Sequence, residues 1–129
     1  MPQDNLLEQA KEFHQEALAE FTQATEVGNN VLLRDACEKG WNAIVLATNY
    51  LVFKKEGKEV RSHWERRRAL DSLERRDSLI REKAMSDRFS ARAYYLHQEA
   101  FYGGYLEEEK IRSELEKVEG YIKAVEELA

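Results

Sequence analysis

What this chain lacks removes several structural classes at once. Proline occurs once, at Pro2, so nothing downstream forbids long helices. Cysteine also occurs once, at Cys37. No intrachain disulfide can form, and the residue's place on an apolar helix face suits a core position better than a nucleophile. No stretch approaches the roughly 18 consecutive apolar residues of a membrane span, which argues against a membrane partner. The opening MPQDNLLEQA has neither the basic nor the apolar region of a secretory signal, so a cytoplasmic protein is expected. No histidine stands at zinc-ligand spacing from a second ligand, and there is no glycine-rich phosphate loop or defensible Ser/His/Asp order. Neither a metal nor a cofactor is therefore expected. No internal repeat marks a solenoid, and 129 residues suit one domain, 1–129.

Helical periodicity is what remains. With 43% hydrophobic and 35% charged residues, the composition fits an ordered helical protein. The longest apolar stretch runs from Asn30, the expected N-cap, to Gly57, the expected left-handed stop. Between them Leu33, Cys37, Trp41, Ile44, Thr48 and Leu51 recur every three or four residues and define one face. A stripe of small residues, Ala36, Gly40, Ala43 and Ala47, runs beside it. A glycine inside a helix costs about 1 kcal/mol relative to alanine, so Gly40 is expected where another helix approaches closely. Two apolar sides predict a helix buried on most of its circumference.

The flanking segments read as its cover. A first helix is expected from about Asp4 to Val27, with Leu6, Ala10, Phe13, Ala17, Phe21 and Ala24 as its stripe and Gly28-Asn29 as a tight turn. Ser62 and Glu65 have capping-box spacing and open a polar, arginine-rich helix. Ser78 or Ser86 can start the next segment, so this region is one broken helix or two short ones. Core periodicity returns from about Asp87 to Tyr102 and stops at Gly103-Gly104. A last helix is expected from near Leu106, with Glu107, Glu108 and Glu109 where the macrodipole favours negative charge. Its Ile111, Leu115, Val118, Ile122 and Val125 make an a/d seam that docks on the bundle or on a second subunit.

Charge is unevenly distributed. From Arg61 to Arg92 there are ten Lys/Arg against six Asp/Glu, while the rest of the chain carries ten against 19. Two readings of this basic, polar segment at about 61–92 stand open. Arg66, Arg67, Arg68, Arg75 and Arg76, flanked by Trp64, can contact phosphates and stack on bases. Alternatively, Arg61–Glu65, Arg67–Asp71, Asp71–Arg75 and Asp77–Arg81 are i,i+4 pairs, each supporting a solvated helix by a few tenths of a kcal/mol.

From Ala91 onward, ARAYYLHQEAFYGGYLEEEKIRSELEKVEGYIKAVEEL resembles the end of the archaeal PaREP family. The shared features are a Leu-His step, an aromatic helix end with glycine, and an acidic amphipathic last helix. ACEKGWNAIVLATNYLV likewise resembles that family's A-x-E-K-x-x-x-A core helix. The likeness covers most of the chain and is weakest in the arginine-rich middle. It implies a fold similar to the HEPN superfamily, whose helical bundles are commonly dimeric. Many HEPN domains are metal-independent RNases, and some pair with a small nucleotidyltransferase as toxin and antitoxin.

The HEPN nuclease motif, Arg followed after four to six residues by His, is matched by Arg92-Ala-Tyr-Tyr-Leu-His97. By that resemblance His97 would be the general base on a ribose 2′-hydroxyl and Arg92 would stabilise the phosphorane. The residue after the arginine is Ala93, where the motif usually carries a polar one. In an ideal α-helix residues five apart sit about 140° apart, so a shared dimer site or a local break in the helix is required. The bland reading makes His97 a packing residue near Phe101 and Tyr94.

The sequence therefore predicts an all-α, antiparallel up-and-down bundle of about five helices, HEPN-like and homodimeric. The function it favours is a non-catalytic binding or regulatory module engaging RNA or a protein partner. The alternatives are a metal-independent endoribonuclease, the toxin type included, with a nucleotidyltransferase partner, and a helical scaffold for protein interaction. No 34-residue period supports the scaffold.

Overall fold

A computed structural model describes residues 5–129; Asp4, placed at the start of the first helix by its sequence, lies outside them. Helix α1 (Leu6–Val27) and helix α2 (Asn30–Glu56) form a hairpin. Its turn is made by Gly28, held at φ 66 with its N–H bonded to the Ala24 carbonyl. The N-cap of α2 is Asn29, not Asn30: its side-chain oxygen accepts from the N–H groups of Val31 and Leu32 at 3.0 and 3.1 Å. Asn29 alone has the extended backbone that an N-cap needs, whereas Asn30 is already helical. Gly57 closes α2 in the left-handed conformation at φ 69, as expected.

Helix α3 (His63–Arg76) follows, capped by Ser62, whose Oγ accepts from the Glu65 N–H at 3.0 Å. Asp77 ends α3 and caps the single turn α4 (Ser78–Glu82). Helix α5 (Met85–Arg92) then runs without interruption into a π-helical segment, π1 (Ala93–Tyr102), and α6 (Glu108–Leu128) completes the chain. Five long rods, counting α5 and π1 as one, make an all-α bundle with no strand among the described residues.

Helix α2 is the central member, packed against α1, α3, α5, α6 and π1. Both of its expected stripes are buried. A β-carbon on Gly40 would lie 2.6 Å from Leu115 Cδ2 of α6 and 3.5 Å from Leu96 Cδ1 of π1, so the glycine marks the close approach. Ile111, Leu115, Val118, Ile122 and Val125 of α6 are all buried within this one chain. The seam is thus used on the bundle itself. Its Tyr121 hydroxyl reaches Thr48 Oγ1 of α2 at 2.6 Å, and Thr48 in turn donates to the Ile44 carbonyl.

None of the four expected i,i+4 pairs in the basic segment forms among the described residues. Other partners take several of those groups instead. Asp71 accepts from the Ser86 hydroxyl at 2.6 Å, and Arg81 donates to the Glu74 carbonyl at 3.1 Å. Asp77 is occupied with capping α4, and Arg76 pairs with Glu56 of α2 at 2.5 Å. Exposed i,i+4 pairs hold only tenths of a kcal/mol, so caps and tertiary contacts displace them readily.

A paired-histidine candidate site on the central helix

Helix α2 carries Glu38 and Trp41 one turn apart on the side that faces π1 and the start of α3. Trp41 is 1% exposed and forms the floor of the site. The His63 ring stands edge-on to it at 5.0 Å between centroids, and the His97 ring stacks beside it at 5.5 Å. The two imidazoles are themselves 5.5 Å apart, nearly perpendicular. Both are half-buried. Phe101 and Tyr102 close the far side of His97, with Tyr102 edge-on at 4.9 Å.

The hydrogen bonds fix the state of each ring. His97 Nδ1 lies 2.9 Å from Glu38 Oε2. A carboxylate only accepts, so Nδ1 carries a proton, and in the neutral ring Nε2 is the nitrogen with the lone pair. No hydrogen bond engages that Nε2 among the described residues. His63 is set the opposite way. Arg66 Nη1 donates to His63 Nδ1 at 2.9 Å, while Arg66 Nε donates to Asn49 Oδ1 of α2 at 2.7 Å. Guanidinium has no acceptor, so His63 Nδ1 must accept and the ring proton sits on Nε2. Burial first, then the charges of Arg66, His97 and Arg67, lower the His63 pKa from its ordinary value, which favours the neutral ring.

Arg92 is elsewhere. Its Nε donates to Glu114 Oε1 of α6 at 2.6 Å, and the side chains are 6% and 1% exposed. Lys110 and Lys117 approach the other Glu114 oxygen at 3.1 and 3.3 Å. The local break that the Arg92–His97 spacing called for does exist, because π1 begins between them. The two side chains nevertheless find partners on different helices, α6 for Arg92 and α2 for His97. Segments of π-helix are rare and often accompany functional positions. Here Arg34 of α2 anchors the end of π1 by donating through Nε to the Phe101 carbonyl at 2.9 Å.

Of the five arginines expected to meet nucleic acid, Arg66 is buried in the site, and Arg67, Arg68, Arg75 and Arg76 are exposed. Arg68 lies over the Trp64 ring at 4.9 Å, beside a groove of about 300 Å³ that also involves Lys58 and Val60. Tyr94 packs edge-on against Tyr95, away from His97, so of the two aromatic neighbours expected there only Phe101 is present. The third histidine, His14, is buried and hydrogen-bonds the Leu115 carbonyl through Nε2 at 3.1 Å. Burial pushes the Cys37 thiol up to about 12, which removes it as a nucleophile.

Glu38 and His63 were not singled out by sequence reasoning. Glu38 stands 59 positions from His97, and His63 reads as the first residue after a cap. The only local signal is that Ser62 turns the chain so that His63 opens a helix beside Trp41.

The fold and this site define an all-α helical bundle with a half-buried imidazole pair, one ring from α3 and one from π1, packed against its central helix. The chain belongs to the archaeal PaREP1/PaREP8 family, whose sequence model matches residues 12–122 and so spans every side chain of the site. No curated protein matches it.

Proposed function

We propose that this chain is a HEPN-like, metal-independent endoribonuclease acting on single-stranded RNA, with His97 as the proton-transfer group. The carrying observation is the Glu38–His97 hydrogen bond, which holds the ring in the tautomer whose Nε2 can take a proton. In the reaction, His97 Nε2 removes the ribose 2′-hydroxyl proton, and the 2′-oxygen forms its bond to phosphorus. The bond from phosphorus to the 5′-oxygen breaks, and the proton passes from His97 to that departing oxygen. The products are a 2′,3′-cyclic phosphate and a 5′-hydroxyl end. Exposed Arg67, Arg68 and Arg75 supply phosphate contacts, and Trp64 offers a face on which a base stacks. The resemblance to HEPN domains further implies a homodimer as the acting unit and a nucleotidyltransferase as a partner.

The test is incubation with a single-stranded RNA oligomer in the presence of EDTA. Cyclic phosphate ends should form with the wild-type chain and disappear with His97→Gln, which keeps a group able to bond Glu38. Intact RNA in the wild-type reaction rejects the reading. A second reading, a non-catalytic binding module for RNA or a protein partner, is favoured by the burial of Arg92 against Glu114, which withholds the motif's cation from solvent. RNA bound but never cut would select it.

A further inference from the structure

The cation expected beside His97 is committed to Glu114, so a phosphoryl group at His97 needs another electrophilic partner. His63 is in place for that role. Its ring is 5.5 Å from His97, and Trp41 packs against both. The Arg66 bond to Nδ1 obliges the neutral ring to present Nε2–H. Arg66 is itself fixed by Asn49, so the orientation of His63 is set from α2, the helix that also sets His97. One imidazole of the pair thus offers a lone pair and the other a hydrogen.

We propose that His63 is a second substrate-contacting residue, which donates Nε2–H to a non-bridging phosphoryl oxygen of RNA while His97 moves the proton. This rests on the endoribonuclease reading above. His63 is neutral throughout and transfers no proton, since losing Nε2–H would leave an imidazolate. Its contribution is a pre-oriented hydrogen bond that strengthens as charge collects on the phosphorane oxygens. The neighbouring exposed Arg67 adds positive potential without entering the pair. The ligand class assigned to the site is therefore a phosphodiester or a simple phosphate anion, held by one neutral donor.

Two measurements test His63 separately from the nuclease reading. The first compares single-turnover RNA cleavage by wild type, His63→Phe and His63→Gln. Phenylalanine keeps the packing against Trp41 and removes the donor, and it should slow cleavage about 100-fold. Glutamine restores a donor and should recover part of the loss. Affinity for a 2′-deoxy oligomer should change little. Equal rates for wild type and His63→Phe overturn the proposal. The second follows imidazole nitrogen resonances while inorganic phosphate is added, and it applies whether or not RNA is cut. His63 should show protonated Nε2 and a saturable shift of that nitrogen. A ring protonated on Nδ1, or an Nε2 that phosphate leaves unmoved, overturns the proposal even where cleavage is observed. If wild type cleaves nothing while the His63 shift appears, the nuclease reading falls and the anion site stands.

Discussion

Arg92 Nε and Glu114 Oε1 meet at 2.6 Å between α5 and α6, with 6% and 1% of their side chains exposed. The arginine of the Arg92–His97 motif is thus held in a buried ion pair. Removing one member of such a pair leaves the other unpaired in the interior, typically costing about 3–5 kcal/mol. Thermal or denaturant melts of Arg92→Ala and Glu114→Ala should both show a loss of that size. The double replacement Arg92→Met with Glu114→Leu should lose much less. A melt of Arg92→Ala coincident with wild type would contradict the buried pairing.

Gly40 has no room for a side chain. A β-carbon would come within 2.6 Å of Leu115 Cδ2, and Leu115 is fully buried. Gly40→Ala should destabilise by about 1–3 kcal/mol through overpacking, and Gly40→Leu by more. Equal midpoints in urea for Gly40→Ala and wild type would remove the close approach.

The titration of His63 should respond to Arg67. Its folded-state value lies below the ordinary one, owing to burial and then to Arg66, His97 and Arg67. As pH falls through the histidine range, the unfolded ring protonates before the folded one, so the unfolded state gains relative stability. The contribution from His63 is therefore complete above the ordinary histidine value and is lost as pH falls to the lowered one. Arg67 is exposed, and Arg67→Gln should raise the His63 midpoint without unfolding the chain. An unchanged midpoint in an NMR titration would show that the Arg67 charge does not reach the ring.

Glu38 should position His97 without touching RNA. Glu38→Gln can donate as well as accept, so it no longer fixes which nitrogen of His97 holds the proton. On the proposed endoribonuclease reading cleavage should fall at least tenfold with binding of a 2′-deoxy oligomer retained, and a measurable fraction of His97 should be protonated on Nε2. Retention of one His97 tautomer in the variant would deny Glu38 that role.

The two asparagines at the start of α2 should separate cleanly. Asn29→Ala removes an acceptor for two free N–H groups and should cost about 1 kcal/mol. Asn30→Ala, at a position already helical, should cost far less. Reversal of that order in urea melts would restore Asn30 as the cap.

Much of the fold was legible because it depends on short-range rules. The spacing of Leu33, Cys37, Trp41, Ile44 and Leu51 is fixed by helical periodicity, and their burial needs only some apolar neighbour. Gly57 and Ser62 act through their own backbone and side-chain geometry, so they act where the chain places them. Adjacent Asn29 and Asn30 differ only in backbone conformation, which residue type does not encode.

Polar partners were a different matter. A charge has no periodicity, and a long side chain can reach any helix that passes within its radius. Arg92 was free to face His97, solvent or Glu114 until α6 was laid beside α5. His97 met Glu38 and His63 only once α2, α3 and π1 were stacked on Trp41. The sequence by itself determined which residues are helical and which faces are apolar, through local backbone preferences and side-chain spacing. Tertiary packing decided whether the α6 seam joined this bundle or another, and which ionisable groups share a site, because those outcomes rest on contacts between residues far apart in the chain.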